Sequence, residues 1–208
     1  MTRRHLTLAF IAALAVAWPF LPDFTTTVFS YIALYAMVAA GLVMLTGVGG
    51  MTSFGQASFV ALGAYATAWA CTSPTATSAL AALPPALLPW LGLALGLAIT
   101  FALAWGLGAI TVKLSGHYLP LCTIAWGLGL YYLFGNLEFL GGQTGVRGLP
   151  ALDVFGFSLA SPRVLGPVIW AVLLLALWAL HNLLDSREGR AIRALKSGQL
   201  MAESMGVD

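Results

Sequence analysis

Enzymatic chemistry needs nucleophiles, acids, bases or metal ligands gathered at one place, and in this chain such residues are few and scattered. His5, His117 and His181 are isolated, each near the end of an apolar run, a position that suits a membrane interface better than a ligand cluster. Ser53 and Ser58 have neither acid nor base near them in sequence. No H-E-x-x-H, no carboxylate pair at helical spacing and no G-x-S-x-G elbow occurs, so neither a metal site nor hydrolytic catalysis is expected. Without G-x-x-x-x-G-K-[ST], any nucleotide hydrolysis belongs to another polypeptide. Cys71 and Cys122 fall in or beside separate apolar stretches without metal-ligand spacing and read as small buried hydrophobes.

Two polar stretches interrupt the apolar background. The first runs from Leu45 to Tyr65 and concentrates Thr46, Gly49, Gly50, Ser53, Gly55 and Gln56 at a break between hydrophobic segments. Backbone groups freed at such a break can hydrogen-bond a small polar solute, and a helix N-terminus near Ser53 and Phe54 would favour a carboxylate. A tight glycine turn capped by Ser53 accounts for the same residues, and both readings stand. The second stretch, Asp185 to Asp208, is a polar helical pattern in which Ala191, Ile192, Leu195, Leu200 and Met201 alternate with basic residues. By composition it is a positively charged tail or interfacial helix.

The elements that carry these stretches must be membrane helices. Of 208 residues, 60% are hydrophobic and 8% charged, against about 45–50% and about 25% in soluble domains. The mean hydropathy is +0.93, and no Lys, Arg, Asp or Glu occurs from Phe24 to Val112. One small core cannot hide that much apolar surface, so the chain is solvated by hydrocarbon. A net charge of +2, dispersed along the chain, implies no nucleic-acid partner. Spans almost free of ionisable groups also argue against a proton-coupled pump.

Apolar runs between turn signals predict six transmembrane or re-entrant helices: Leu6–Leu21, Thr27–Leu45, Phe54–Cys71, Ala86–Val112, Tyr118–Leu137 and Val164–Leu184. The third is expected to be re-entrant or short. With six crossings, Arg3 and Arg4, Lys113, and the group Arg187, Arg190, Arg193 and Lys196 all fall on one side, the cytoplasmic one by the positive-inside rule. Both termini are then cytoplasmic. Arg3-Arg4 followed by an apolar run and Ala15-Val16-Ala17 also fits a cleavable signal peptide; retention as a helix keeps the orientation consistent. Gly92, Gly96, Gly106, Gly108, Gly127 and Gly129 are expected at close helix contacts. The chain reads as an all-α polytopic membrane protein, with a membrane domain over 1–184 and a cytoplasmic loop or coupling helix over 185–208.

Three blocks carry a family resemblance. They are Thr46–Tyr65 with its Gly-Gln-Ala-Ser-Phe core; Leu114-Ser-Gly-His-Tyr-Leu-Pro-Leu-Cys-Thr123 leading through Gly141-Gly-Gln-Thr-Gly-Val-Arg-Gly-Leu-Pro150; and Ser186-Arg-Glu-Gly-Arg-Ala-Ile-Arg-Ala-Leu-Lys through Ala202-Glu-Ser-Met-Gly-Val207. In this order they resemble the permease subunits of ATP-binding-cassette importers for branched-chain amino acids, the Liv type, and its LivM branch more than its LivH branch. The resemblance implies a non-enzymatic subunit of the bacterial inner membrane that moves branched-chain or other neutral amino acids. ATP and Mg would be bound by partner nucleotide-binding subunits, with no cofactor in this chain. A second related permease, a periplasmic solute-binding protein and the lipid bilayer complete the implied partners. The residues matching the family's docking motif for the ATPase are Gly189, Arg190, Ala191, Arg193, Glu203 and Gly206.

The sequence departs from the family pattern at Ser197-Gly198-Gln-Leu-Met, where an acidic or Asn-rich run is usual, and Gly198 should weaken a helix by about 1 kcal/mol relative to Ala. Family members continue with further membrane helices after this loop. The chain stops at Asp208, so the C-terminal helices of the family fold are expected to be missing or supplied by another chain. Two other functions fit the composition: a secondary transporter or channel for a neutral solute, and a non-transporting membrane fragment.

Overall fold

The computed structural model describes residues 18–79, 84, 87–111, 118–154, 157–196 and 203. A short 3-10 turn, Trp18–Phe20, leads into helix α1 (Asp23–Leu42), which continues as a π-helical turn over Val43–Val48. After an irregular Gly49–Gly55 stretch come α2 (Gln56–Thr72) and the short α3 (Pro74–Ala79), then α4 (Leu88–Thr111) and α5 (Tyr118–Asn136). Two 3-10 turns, Glu138–Leu140 and Gly142–Thr144, precede the two-residue strands β1 (Asp153–Val154) and β2 (Phe157–Ser158). Helix α6 (Pro162–Asp185) then passes with one intervening residue into α7 (Arg187–Leu195).

Four of these helical segments are long and apolar enough to cross a membrane: Asp23–Val48, Leu88–Ile110, Tyr118–Asn136 and Pro162–Asp185. They hide few of their side chains within the chain; Phe101, Trp105, Tyr131, Leu175 and Trp178 are all exposed, as hydrocarbon-facing residues are. The third predicted segment forms α2, whose 17 residues span only about 26 Å at 1.5 Å per residue, short of the about 30 Å of a bilayer core. The first predicted segment, Leu6–Leu21, with its signal-peptide alternative, lies almost wholly outside the described residues, as do Lys113 and His117.

Several helix ends differ from the sequence expectation for local reasons. Helix α1 starts at Asp23, four residues before Thr27, because Pro22 is extended and the Thr26 and Thr27 hydroxyls donate to the Asp23 carbonyl at 2.9 and 2.8 Å. Helix α6 starts at Pro162, two residues early: Ser161 is its N-cap, with the side chain accepting from the Arg163 N–H, and proline at the first helical position loses nothing because that N–H has no intrahelical partner. Helix α2 starts at Gln56, so its N-terminus is not at Ser53 and Phe54.

The chain divides into two compact units, the described residues up to Met44 with those from Val154 onward, and Leu45–Asp153. In the first, α1 packs on α6 and α6 on α7. Asp23 pairs with Arg163 at 2.7 Å, and the buried Trp18 ring lies against Gly166, where a methyl group would overlap it.

In the second unit α2 is central, packed on α4 and α5. The seam with α4 is antiparallel and built on small residues. Gly92 faces Cys71 and Thr67, Gly96 faces Thr67 and Gly63, and Gly63 in turn faces Thr100. A Cβ on Gly92 would stand 2.8 Å from Cys71 Sγ and 3.1 Å from the Thr67 carbonyl, so glycine permits the close approach. Gly127 also lies at a helix contact, but Gly106, Gly108 and Gly129 do not: among the described residues, a Cβ on any of these three meets nothing within 4 Å. Gly108 lines a cavity instead, and the bare small-residue pattern could not distinguish such positions from a seam. A small apolar cluster of Leu62, Phe134 and Leu140 packs midway along α2.

Candidate functional site

Helices α2 and α5 run side by side in the same direction, in a register fixed at three levels. At their N-terminal ends the Phe54 N–H donates to Thr123 Oγ1 at 3.1 Å, and Gly55 abuts Thr123. Halfway along, Ser58 faces Gly127, where a Cβ would lie 3.5 Å from Ser58 Oγ. Farther on, Tyr65 stacks on Phe134 with ring centroids 4.8 Å apart. Each pairing joins a residue to one about 69 positions later, so the seam keeps constant register over three turns.

Two cavities lie along this seam. The smaller, about 270 Å³, is walled by Ser53, Ser58, Phe59, Leu107, Thr123 and Trp126 among others. The larger, about 580 Å³, is walled by Ala61, Tyr65, Gly127, Tyr131 and, from the glycine-rich turn after α5, Gln143. Ser58 belongs to both walls.

Of the six residues expected on a solute pathway, Ser53 and Gly55 line the smaller cavity. Thr46 lies in the π-helical turn and Gln56 begins α2, both half-buried, and neither lines these two cavities. Gly49 and Gly50 form the bend between them, Gly50 with φ 70°, a left-handed conformation that glycine adopts without strain. The Met51 N–H closes the break by donating to the Leu45 carbonyl at 3.1 Å.

Ser53 does not cap the helix. Its Oγ accepts from the Gly55 N–H at 3.4 Å, the residue at the cap position is Gly55, and among the described residues no side chain caps α2. The next donor along the break is satisfied from another helix, by Thr123. Sequence reading missed Thr123, Trp126, Phe59 and Ser58 as wall residues. The available signal was spacing, since Thr123 and Gly127 stand four apart on one face of α5, as do Gly55 and Phe59 on α2.

The docking-motif residues gather at the corner between α6 and α7. Ser186 serves both helices: its Oγ donates to the Leu183 carbonyl at 2.7 Å, ending α6, and accepts from the Gly189 N–H at 3.1 Å, starting α7. Gly189 is buried, and a Cβ there would overlap the Leu183 carbonyl and meet the Leu184 backbone. The Arg190 guanidinium donates to the Asp185 carbonyl at 3.0 Å, and Arg193 donates to the Leu184 carbonyl. Both cations therefore sit at the carbonyl end of α6, where the helix dipole favours positive charge. The sequence pattern alone presents them on one side of a free helix; they are exposed, but anchored to the span behind them. Glu188, in the first turn of α7, is held below the ordinary carboxylate range by its own backbone N–H, then by the Ser186 hydroxyl and by Arg190. Ala191 is half-buried, Glu203 is exposed, and Gly206 lies outside the described residues.

These features define a helical, membrane-embedded protein with an amphipathic helix fixed to the end of one span. The family profile described as branched-chain amino acid transport system / permease component matches residues 24–208, and the chain belongs to that family. It is 27% identical to the high-affinity branched-chain amino acid transport system permease protein LivM of Escherichia coli (strain K12), over 99% of this chain and 52% of the relative. The LivM protein of Salmonella typhimurium (strain LT2) is 26% identical over the same shares. The chain thus spans about half the length of the curated relatives it matches. No solved structure matches it.

Proposed function

We propose that this chain is a membrane subunit of an ATP-driven importer, carrying branched-chain or other neutral amino acids across the bacterial inner membrane with both termini in the cytoplasm. It performs no bond chemistry. ATP and Mg are held by separate nucleotide-binding subunits, a periplasmic binding protein delivers the solute, and a second related permease supplies the other half of the pathway. The docking element is α7 with the residues beyond it, Gly189, Arg190, Ala191, Arg193, Glu203 and Gly206. The solute path passes the break that holds Thr46, Gly49, Gly50, Ser53, Gly55 and Gln56.

The observation that carries this reading is the α6–α7 corner. A helix bound to a span through Ser186, Gly189, Arg190 and Arg193 cannot swing freely, so a push on α7 is delivered to α6 as a rigid-body movement. Family membership and the basic residues of α7 support a cytoplasmic position for that corner, where an ATPase can dock.

The test is a detergent pull-down of the tagged chain with its candidate nucleotide-binding subunits, comparing wild type with Gly189→Val. Wild type should retain the ATPase and the variant should lose it with membrane insertion unchanged. Wild type that inserts but retains no ATPase overturns the importer reading and favours a secondary transporter or a non-transporting fragment.

A further inference from the structure

Ser58 is 6% exposed, and its hydroxyl has no hydrogen-bond partner among the described residues. That is unusual for a buried hydroxyl. The ordinary resolution is a bond back to the carbonyl four residues earlier, as Ser30, Thr67 and Thr72 all make at 2.8 Å. An unsatisfied hydroxyl in an apolar setting costs about 1–3 kcal/mol, so this group is poised for a partner that the described residues do not supply.

Its surroundings specify the partner. Ser58 stands where the two cavities of the α2–α5 seam meet, in the first turn of α2, opposite a glycine that leaves room for a solute atom. The smaller chamber is mainly hydrocarbon and aromatic, from Leu45, Met51, Phe59, Leu107 and Trp126, with the hydroxyls of Ser53 and Thr123 near the start of α2. Among the described residues, neither Asp, Glu, Lys nor Arg lines either chamber. At about 270 Å³ the smaller chamber lies just below the about 300–1,000 Å³ of drug-sized ligand sites. A solute there is small, largely apolar and without net charge, and its polar end is met by the Ser53 and Ser58 hydroxyls and the positive end of a helix dipole, the Thr123 proton being held by the Pro120 carbonyl at 2.9 Å.

We infer that the α2–α5 seam is a two-chamber binding path for a neutral aliphatic amino acid, with the Ser58 hydroxyl donating to its carboxylate at the junction and the smaller chamber receiving its side chain. This rests on the importer reading for the class of solute, and adds to it the place and the contact residue. Gly127 keeps the junction open, and Tyr65 with Gln143 lines the wider chamber on the far side of Ser58.

The test is substituted-cysteine labelling in membranes. Ala61→Cys, in the wall of the larger chamber, is made in the full chain with Cys71→Ala and Cys122→Ala, and its modification by a small cationic thiosulfonate is timed with and without leucine. Leucine at about ten times its dissociation constant should slow modification about tenfold by occupancy, while the same concentration of lysine should not. Ala57→Cys, in the same wall, repeats the measurement should Ala61→Cys fail to insert, and adding Ser58→Ala, which removes the donor, should weaken protection. Adding Gly127→Leu, which fills the junction, should abolish protection at position 61.

An introduced thiol at position 57 or 61 that is never modified, or is modified equally with and without leucine, overturns the inference and leaves the seam filled by lipid or water. Because protection is read without the ATPase, it is separable from the pull-down. Protection with no ATPase retained keeps the path and removes the importer; ATPase retained without protection does the reverse.

Discussion

Trp18 donates its indole N–H to the carbonyl of Arg163 at 2.9 Å, a carbonyl that an unbroken helix would have used itself. Its partner four residues on is Pro167, inside α6, which has no N–H to give. The indole therefore replaces a missing helical bond, while the Arg163 side chain pairs with Asp23 at 2.7 Å and ties the same turn to α1.

Replacing Trp18 by Phe should consequently cost about 1–3 kcal/mol, because the part-buried Arg163 carbonyl is left without a donor. In a Pro167→Ala background, where residue 167 regains its N–H, the same replacement should cost clearly less. Asp23→Asn, which removes only a solvent-accessible ion pair, should cost about 0–1 kcal/mol and less in high salt. Thermal unfolding midpoints of the detergent-purified proteins decide the matter, and equal losses for Trp18→Phe in both backgrounds would refute the substitution of indole for proline N–H.

The seam between α2 and α4 predicts two glycine substitutions that differ in whether they can be rescued. Gly92→Ala collides chiefly with Cys71 Sγ at 2.8 Å, and Cys71→Ala removes that atom. Gly96→Ala collides with Thr67 Oγ1 but also with the Gly63 carbonyl at 2.8 Å, which no side-chain change can move. Each single change should destabilise by about 1–3 kcal/mol. Cys71→Ala should recover much of the loss at 92, and Thr67→Ala little of that at 96, as read from the fraction of monodisperse protein after heating.

The same seam shows what could be read in advance. Hydropathy located α4, α5 and α6 to within two residues, because a run solvated by lipid is apolar all round and needs no partner to be recognised. It could not tell Gly96, buried against Thr67, from Gly106, which faces open space, since that depends on which helix lies alongside. The pathway suffered similarly. Thr46, Gly49, Gly50 and Gln56 are contiguous with Ser53 and Gly55, yet the cavity walls come from residues one turn apart on α2 and from Thr123 and Trp126 on α5. That pairing spans about 69 positions and leaves no trace in local composition. The Arg190 and Arg193 contacts were hidden for the same reason, the carbonyls they meet being backbone atoms of the preceding helix.

Acidification should loosen the start of α7. The Glu188 carboxyl is held below its ordinary range by its own backbone N–H, the Ser186 hydroxyl and Arg190, so its native value is lower than its unfolded one. A depressed carboxylate contributes stability that is complete above the unfolded value, about 4.3, and is lost as pH falls through the native value. Hydrogen exchange at the Gly189 and Arg190 amides should therefore accelerate, relative to amides in α6, as pH drops below about 4. Glu188→Gln should flatten that dependence, and an unchanged profile in the variant would exclude Glu188 as its source.

The α6–α7 corner makes the strongest mechanical prediction, because several contacts hold it, the Arg190 bond to the Asp185 carbonyl among them. Ser186 ends one helix and starts the next, Gly189 backs onto the Leu183 and Leu184 backbone, and Arg193 reaches the Leu184 carbonyl. Ser186→Ala removes a helix N-cap and should cost α7 about 0.5–2 kcal/mol. Arg193→Lys keeps the charge but loses the fork that reaches both Leu184 and Gly189, so it should resemble Arg193→Ala more than wild type. Spin labels on Leu177 and Arg187, both exposed, should report one narrow distance in wild type and a broadened one in each variant. A Ser186→Ala, Arg193→Ala double variant with the wild-type distribution would mean that Gly189 and Arg190 suffice to fix the corner. Gly189→Val should then broaden it by itself, since a branched side chain cannot fit against the Leu183 carbonyl without displacing α7.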